Sequence, residues 1–309
     1  MRHWTNTMAG PLGVLIAALL LPGGSLLLAW ALYRRFSRRG TADWRAKRWI
    51  PLVALAALLQ GCATQLSFST GTASQDGETP AETAVLKFQR MSIEPGSDEA
   101  LADPADLRPG DILLTSMPGL ASAGIKLMTF APVSHAAVYI GNGQVVEAVR
   151  SGVRVRGIDE VLVEETVVLA LRYPELGAEQ AGLIRDYALK KSGAGFNFLG
   201  VTLQFPFSIS RRVCEVPLVP SAVRDACIRS MGILNHVAAS ESQLFCSQLV
   251  LQAYRHAGVP ITDADPRLIS PADILHMREG DVSSFRIHKQ LRNVGHLKYE
   301  RPVTVAFQQ

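Results

Sequence analysis

Cysteine and histidine are scarce in this chain of 309 residues, which has four of the former and seven of the latter. The histidines form no closely spaced cluster with cysteine or aspartate, so we expect no zinc site. No basic patch interleaved with aromatic residues follows the N-terminal region, and aromatic residues make up only 7% of the chain. Nucleic-acid binding is therefore not indicated.

The basic overall charge comes from the start of the chain. Residues 1–61 contain eight Lys or Arg residues and one acidic residue. Subtracting these from the 31 basic and 27 acidic residues of the whole chain leaves 23 and 26, a net charge near −3. The isoelectric point of about 9.0 thus describes a targeting region and carries no information about the partners of the remainder.

Two apolar runs lie in this N-terminal region. Residues 12–33 are apolar except for a central Pro-Gly-Gly-Ser, and they are long enough to span a bilayer. Either they form a transmembrane segment whose basic end faces the cytoplasm, or the true start of the protein lies nearer the basic block that follows. A shorter run, 50–59, then leads into Gly61-Cys62.

The second run has the features of a secretory signal, because basic residues precede a short apolar stretch and a small residue. Residues 49–62 resemble a bacterial lipoprotein signal, in which Cys62 would be lipidated and become the mature N-terminus. The alternative is a second membrane helix, for which this run is short. We interpret 1–62 as a membrane-targeting region and place the rest at the periplasmic face of the cell envelope. The residue after Cys62 is Ala63 and not an aspartate, which by the sorting habits of lipoproteins favours the outer membrane.

The remainder divides into two parts. Residues 63–106 are rich in small, polar and acidic residues, which predicts a flexible tether. Residues 107–309 are long enough for one domain with a sizeable core. Strands are predicted at 111–115, 138–140, 144–149, 152–155 and 167–171, and helices at 121–129, 179–191, 221–234 and 244–257. This mixed order indicates an α+β fold in which helices pack against an antiparallel sheet.

The helix predicted at 244–257 contains a cysteine. Ser240 with Gln243 fits a capping box, and Ser242 is an alternative cap. Cys246 would then lie in an early turn, on the inward face. Cys214 and Cys227 flank a loop and could form a disulfide in an oxidising compartment, which would leave Cys246 as a free thiol. The alternative for Cys246 is a buried structural cysteine.

Two further residues stand out as partners for such a thiol. His135 opens an apolar strand and could act as the base that converts the thiol to a thiolate, although a core histidine is an equally ordinary interpretation. Glu147 interrupts an apolar strand predicted to pair with that of the histidine. It could orient the imidazole, or it could point to solvent by simple alternation.

The ordered set of motifs resembles a known family. The segments are 108–113 (RPGDIL), 134–135 (SH), 146–148 (VEA), 245–250 (FCSQLV) and 270–273 (SPAD). Together they are similar to the permuted NlpC-type, papain-like cysteine hydrolases of the YiiX and YaeF group, some of which are lipoproteins. The resemblance implies a circularly permuted papain-like fold. It also implies Cys246 as nucleophile, His135 as base and Glu147 as orienting acid.

An amidase or peptidase acting on cell-wall peptides or related acylated molecules is the function that this resemblance implies. Such a cysteine hydrolase needs no metal or organic cofactor. The partners would be the membrane, through the lipid anchor and, on the first of the two interpretations above, a transmembrane segment at 12–33, and a peptidoglycan-related or acylated substrate. A lipid acyltransferase or thioesterase of the same fold is one alternative. A non-catalytic envelope lipoprotein, with an ordinary thiol at Cys246, is the other.

Overall fold

The computed structural model describes residues 64–70, 82–90, 92–96, 101–117, 131–215, 221–232 and 243–300. The apolar run at 12–33, the cysteine at position 62 and the helix predicted at 121–129 lie outside these ranges. In the part of the chain that is described, no helix is both long and apolar enough to cross a membrane.

A six-stranded antiparallel sheet forms the centre of the domain, in the order β10-β7-β3-β4-β5-β6. Its strands, in chain order, are β3 (Ile112–Ser116), β4 (His135–Gly141), β5 (Gln144–Val149), β6 (Gly152–Gly157), β7 (Val167–Arg172) and β10 (Arg292–Tyr299). Two smaller pairings accompany it. Strands β1 (Thr64–Thr70) and β2 (Glu82–Phe88) form an antiparallel ribbon, and β8 (Gly195–Phe196) pairs in parallel with β9 (Gln243–Leu244).

The hairpin between β4 and β5 forms where the sequence predicts it. Gly141, Asn142 and Gly143 have φ values of 94°, 54° and 69°, a left-handed conformation that glycine and asparagine adopt most readily. The turn sets β5 directly beside β4, so that Ala137 pairs with Glu147.

Alternate residues of the sheet face two separate cores. Ile112 and Leu114 of β3 belong to the larger core, whereas Leu113 between them belongs to the smaller one. This alternation follows from the two-residue period of a strand.

The helices of the described chain are α1 (Ile158–Glu164), α2 (Ala178–Lys190), α3 (Phe198–Ser210), α4 (Ser221–Gly232), α5 (Cys246–His256) and α6 (Pro271–Leu275). The predicted α+β architecture with an antiparallel sheet is confirmed.

Helix α5 packs against the sheet through its apolar side. Leu249, Val250 and Ala253 are fully buried, and they join the larger core. The predicted N-terminal cap of this helix is wrong. The helix begins at Cys246 with Phe245 as its N-cap, and no side chain caps it. Gln243 instead belongs to β9, and its pairing with β8 keeps the backbone in an extended conformation up to the start of the helix.

The segment interpreted as a flexible tether, 63–106, contains regular structure in its described parts. The β1–β2 ribbon lies within it, and Ile93 is buried in the larger core. Further along, the Ala102 N–H donates to the His296 carbonyl at 2.8 Å, which ties the end of this segment to β10. The division of the chain at residue 107 remains a prediction, but the domain body includes residues that precede it.

Candidate active site

Cys246 is the first residue of α5. Phe245 before it is extended, with φ −111° and ψ 170°, so the chain turns sharply into the helix at the cysteine. The N-terminal end of a helix carries a partial positive charge that favours a nearby anion, and the effect is strongest in the first turn. The sequence placed Cys246 in an early turn. The structure places it closer still to the helix end, where a thiolate is better stabilised.

His135 is the first residue of β4, and its ring contacts Cys246 and Glu147 together. The imidazole hydrogen-bonds the sulfur of Cys246. Its Nε2 lies 2.8 Å from Glu147 Oε2, which leaves Nδ1 as the ring nitrogen for the sulfur. The sheet register explains the second contact, because Glu147 pairs with Ala137, two residues beyond His135. The three predicted residues are therefore brought together.

Backbone groups also contact the sulfur. The N–H groups of Ala136 and Ser247 donate hydrogen bonds to it. One belongs to the strand that begins at the histidine, and the other belongs to the first turn of α5. Two such donors favour the charged form of the sulfur over the neutral thiol.

Glu147 is fully buried, yet it has three charged neighbours. In addition to His135, Arg154 Nε donates to its Oε1 at 2.8 Å, and Arg156 Nη2 donates to its Oε2 at 3.1 Å. Arg156 Nε also lies 2.8 Å from Oε1. The alternative that Glu147 points to solvent is wrong, because the side chain is enclosed by these cations.

Arg156 links this carboxylate to two more. Its Nη1 donates to Glu164 Oε2 at 2.6 Å, and its Nη2 donates to Glu165 Oε1 at 3.1 Å. Arg156 and Glu165 are both buried. Sequence reasoning missed Arg154 and Arg156. The available signal was Arg-Val-Arg on the strand after Glu147, since residues two apart share one face of a strand.

Charge and burial change the pKa of each of these three residues in opposite directions. Burial lowers the pKa of His135, but the negative sulfur of Cys246, its hydrogen bond and the Glu147 carboxylate together raise it to about 10. Burial raises the pKa of Glu147, but His135 and the two arginines lower it to about 2. Burial raises the pKa of Cys246, yet the His135 charge and the backbone donors bring it below its ordinary value.

This arrangement favours a thiolate paired with an imidazolium over two neutral groups. The thiolate is the nucleophilic form of cysteine, and the imidazolium carries a proton that it can donate to a leaving group. Glu165 differs from Glu147, because burial raises its pKa more than His135, Arg156 and Thr115 lower it. No group of His, Cys, Asp and Glu suited to a metal ion occurs among the residues that the structure describes.

The other cysteines lie as follows. A disulfide joins Cys214 and Cys227, which lie in a 3-10 turn after α3 and in α4. Cys246 is partly buried, and of the cysteines in the described ranges it is the one outside this disulfide. Cys62 cannot be placed, since it lies outside those ranges.

The two arginines that contact Glu147 should contribute very differently to stability. Arg156→Met should lower the free energy of unfolding by about 3–5 kcal/mol, because it removes a buried cation that Glu147 and Glu165 share. Arg154 is 44% exposed, so Arg154→Met should cost about 0–1 kcal/mol. Urea unfolding of both variants measures the difference. Equal losses in the two variants would contradict the charge arrangement described here.

Comparison with known proteins shows similarity to a curated lipoprotein. No family model matches the chain. A curated protein of Escherichia coli strain K12, named Probable lipoprotein peptidase YaeF, is 35% identical over 247 residues, which are 78% of this chain and 89% of that protein. The crystal structure of the metalloprotein YiiX from Escherichia coli O157:H7 is 16% identical, covering 63% of this chain and 98% of that one. Its TM-score of 0.36 is too low to support a conclusion about the fold.

Proposed function

The chain belongs to the permuted NlpC-type family of YiiX- and YaeF-like lipoproteins, and from this premise we propose that it is a cysteine hydrolase anchored by lipid in the cell envelope. Its reaction is the cleavage of amide bonds in cell-wall peptides or related acylated molecules. The proposal includes the circularly permuted papain-like fold, in which the histidine strand precedes the cysteine helix along the chain. It also includes lipidation at Cys62 and a location at the periplasmic face.

The observation that carries the proposal is the position of one imidazole. His135 hydrogen-bonds the sulfur of Cys246 and, through Nε2, the carboxylate of Glu147. A cysteine nucleophile requires a base beside the sulfur and an orienting acceptor on the far side of that base. A buried structural cysteine requires neither.

In the proposed reaction the Cys246 thiolate attacks the carbonyl carbon of the scissile bond. The bond between that carbon and the leaving nitrogen breaks, His135 gives its proton to the leaving amine, and a thioester forms. His135, now neutral, then takes a proton from water, and the hydroxide attacks the thioester carbon. The carboxylic acid product leaves and the thiolate is restored. Glu147 holds the ring in place and stabilises its charge throughout.

The oxyanion formed in each step needs a hydrogen-bond donor. Backbone N–H groups in the first turn of α5 are suited to this role, because they lie at the positive end of the helix beside the sulfur. Removal of one such donor typically lowers the rate by a factor of about 10²–10³.

A second candidate is acyl transfer or thioester hydrolysis on lipids. Phe198 and Leu199 open α3 with more than half of each side chain exposed, directly after β8. Strand β8 pairs with β9, which ends two residues before Cys246. These apolar residues thus follow the strand that pairs with the one leading to the cysteine, and an apolar surface in that position would suit an acyl chain.

Replacing the nucleophile tests the catalytic role. In the lipidated protein, Cys246→Ala should abolish both hydrolysis and labelling by iodoacetamide, because Cys214 and Cys227 form a disulfide and the sulfur of Cys62 would carry lipid. The assay uses muropeptides and lipid esters in parallel, so that the products separate the two candidates. Val163→Ser, on the exposed side of α1, is the control and should keep full activity. Unchanged turnover by Cys246→Ala, with its unfolding curve unaltered, would end the proposal.

The ion pair also predicts a pH profile for alkylation. The thiolate of Cys246 should persist to a pH below the ordinary value of about 8.5, and the alkylation rate should fall only as acid protonates the sulfur. His135→Ala removes the cation, so the midpoint should rise above that of the native protein. Glu147→Gln weakens the imidazolium and should shift the midpoint upward by less. A native midpoint at or above about 8.5 would favour the non-catalytic lipoprotein.

A further inference from the structure

The β1–β2 ribbon brings the middle of the predicted tether, at residue 88, back to its beginning at residue 64. Its register pairs Thr64 with Phe88 and Leu66 with Leu86. Partners in an antiparallel pair lie about 5 Å apart, so residue 88 is adjacent to residue 64 in space although 24 positions separate them. The chain between them adds no reach to the tether.

Directly after the ribbon, the chain binds to the body of the domain. The Arg90 N–H donates to Asp281 Oδ1 at 2.8 Å, and the Arg278 guanidinium donates to the carbonyls of Arg90 and Ser92 at 3.1 Å each. Gln89 Nε2 donates to Ser284 Oγ at 3.2 Å. These bonds hold residues 89, 90 and 92 against the loop after α6.

Asp281 is held in place from several sides. Its carboxylate contacts His276 Nδ1 at 3.1 Å and Arg278 Nε at 3.1 Å, and it accepts from the Val282 N–H at 2.8 Å. Its side chain is fully buried. The backbone of residue 90 is therefore bound by a buried carboxylate that its own neighbours hold in a fixed position.

The distance between lipid anchor and domain is consequently short. A tether of 44 extended residues, 63–106, would reach about 150 Å. Cys62 is two residues from Thr64, a span of at most about 7 Å, and Thr64 is adjacent to Phe88, one residue before the docked Gln89. If Cys62 carries lipid, the ribbon must begin at the membrane surface.

The ribbon has apolar side chains at this end. Leu86 is 42% exposed and Phe88 is 53% exposed. They are two residues apart on β2 and so lie on the same face of it. Large apolar side chains that lie beside a lipid-modified residue can enter the boundary between headgroups and acyl chains and add to membrane binding.

We propose that the Leu86 and Phe88 face of the ribbon binds the membrane interface and, with the docked residues 89, 90 and 92, holds the active-site domain close to the bilayer. The inference rests on the lipid anchor of the proposed function and is independent of the reaction at Cys246. It assigns the occupant of this face as phospholipid.

A single introduced tryptophan tests the proposal. All four tryptophans of the chain, Trp4, Trp30, Trp44 and Trp49, precede Cys62, so the mature lipoprotein has none. Phe88→Trp in the lipidated protein, reconstituted into phosphatidylethanolamine and phosphatidylglycerol vesicles, should emit at a shorter wavelength than in detergent-free buffer. Phospholipids brominated near the headgroup should quench it. Val163→Trp, from the most exposed of the described large apolar residues, is the matched control and should show neither effect.

Each other outcome contradicts the proposal in a distinguishable way. Cosedimentation of the Phe88→Trp variant with vesicles while its indole stays unquenched would leave the anchor intact and remove the docking face. Failure to cosediment would remove the anchor as well. Emission at a short wavelength without vesicles, together with a dimeric mass, would assign the face to a second copy of the chain through its strand edge.

Discussion

The structure of the site depends on how the fold accommodates one buried carboxylate. An unpaired charge in a protein interior costs several kcal/mol, so Glu147 can remain ionised only among cations. Arg154, Arg156 and His135 all reach it from the strands on either side of β5. The meander of β4, β5 and β6 is the arrangement that satisfies this requirement, since it places the strand of the glutamate between that of the histidine and that of the arginines.

The reactivity proposed for Cys246 follows from the same constraint. A glutamate kept ionised stabilises the positive charge on His135, and that charge lowers the pKa of the thiol. The helix end adds a smaller contribution in the same direction, because Cys246 is the first residue of α5. A chain of charges thus extends from Arg156 through Glu147 and His135 to the sulfur. Each charged group in this series stabilises the charged form of the next one.

Much of this site could be predicted from the sequence because its signals are local. The turn at 141–143 specifies the hairpin, and a charged residue within each of two apolar strands identifies His135 and Glu147. The start of α5 could not be predicted, because Ser240 and Gln243 satisfy the local rule for a cap while the pairing of β9 with β8 extends that stretch. The β1–β2 ribbon was not predicted for a similar reason. Its segment is rich in small polar residues, and its two strands form by pairing with each other.

The arginines show what sequence reasoning leaves out. Arg154 and Arg156 would lie on a solvent face by composition alone, and only the register that pairs Glu147 with Arg154 turns them toward the site. The same is true of Asp281, whose role in holding residue 90 depends on contacts across 191 positions of the chain. Long-range register and packing, not local pattern, decide such roles.

The charge state of His135 tests the account most directly. Nitrogen-15 NMR of the imidazole in the native protein at neutral pH should show both ring nitrogens protonated, with loss of a proton only near the pKa of about 10. In Cys246→Ser, which lacks the thiolate, the pKa should fall markedly because burial then opposes the charge with less compensation. A neutral ring with one protonated nitrogen in the native protein at neutral pH would contradict the ion pair and the mechanism that rests on it.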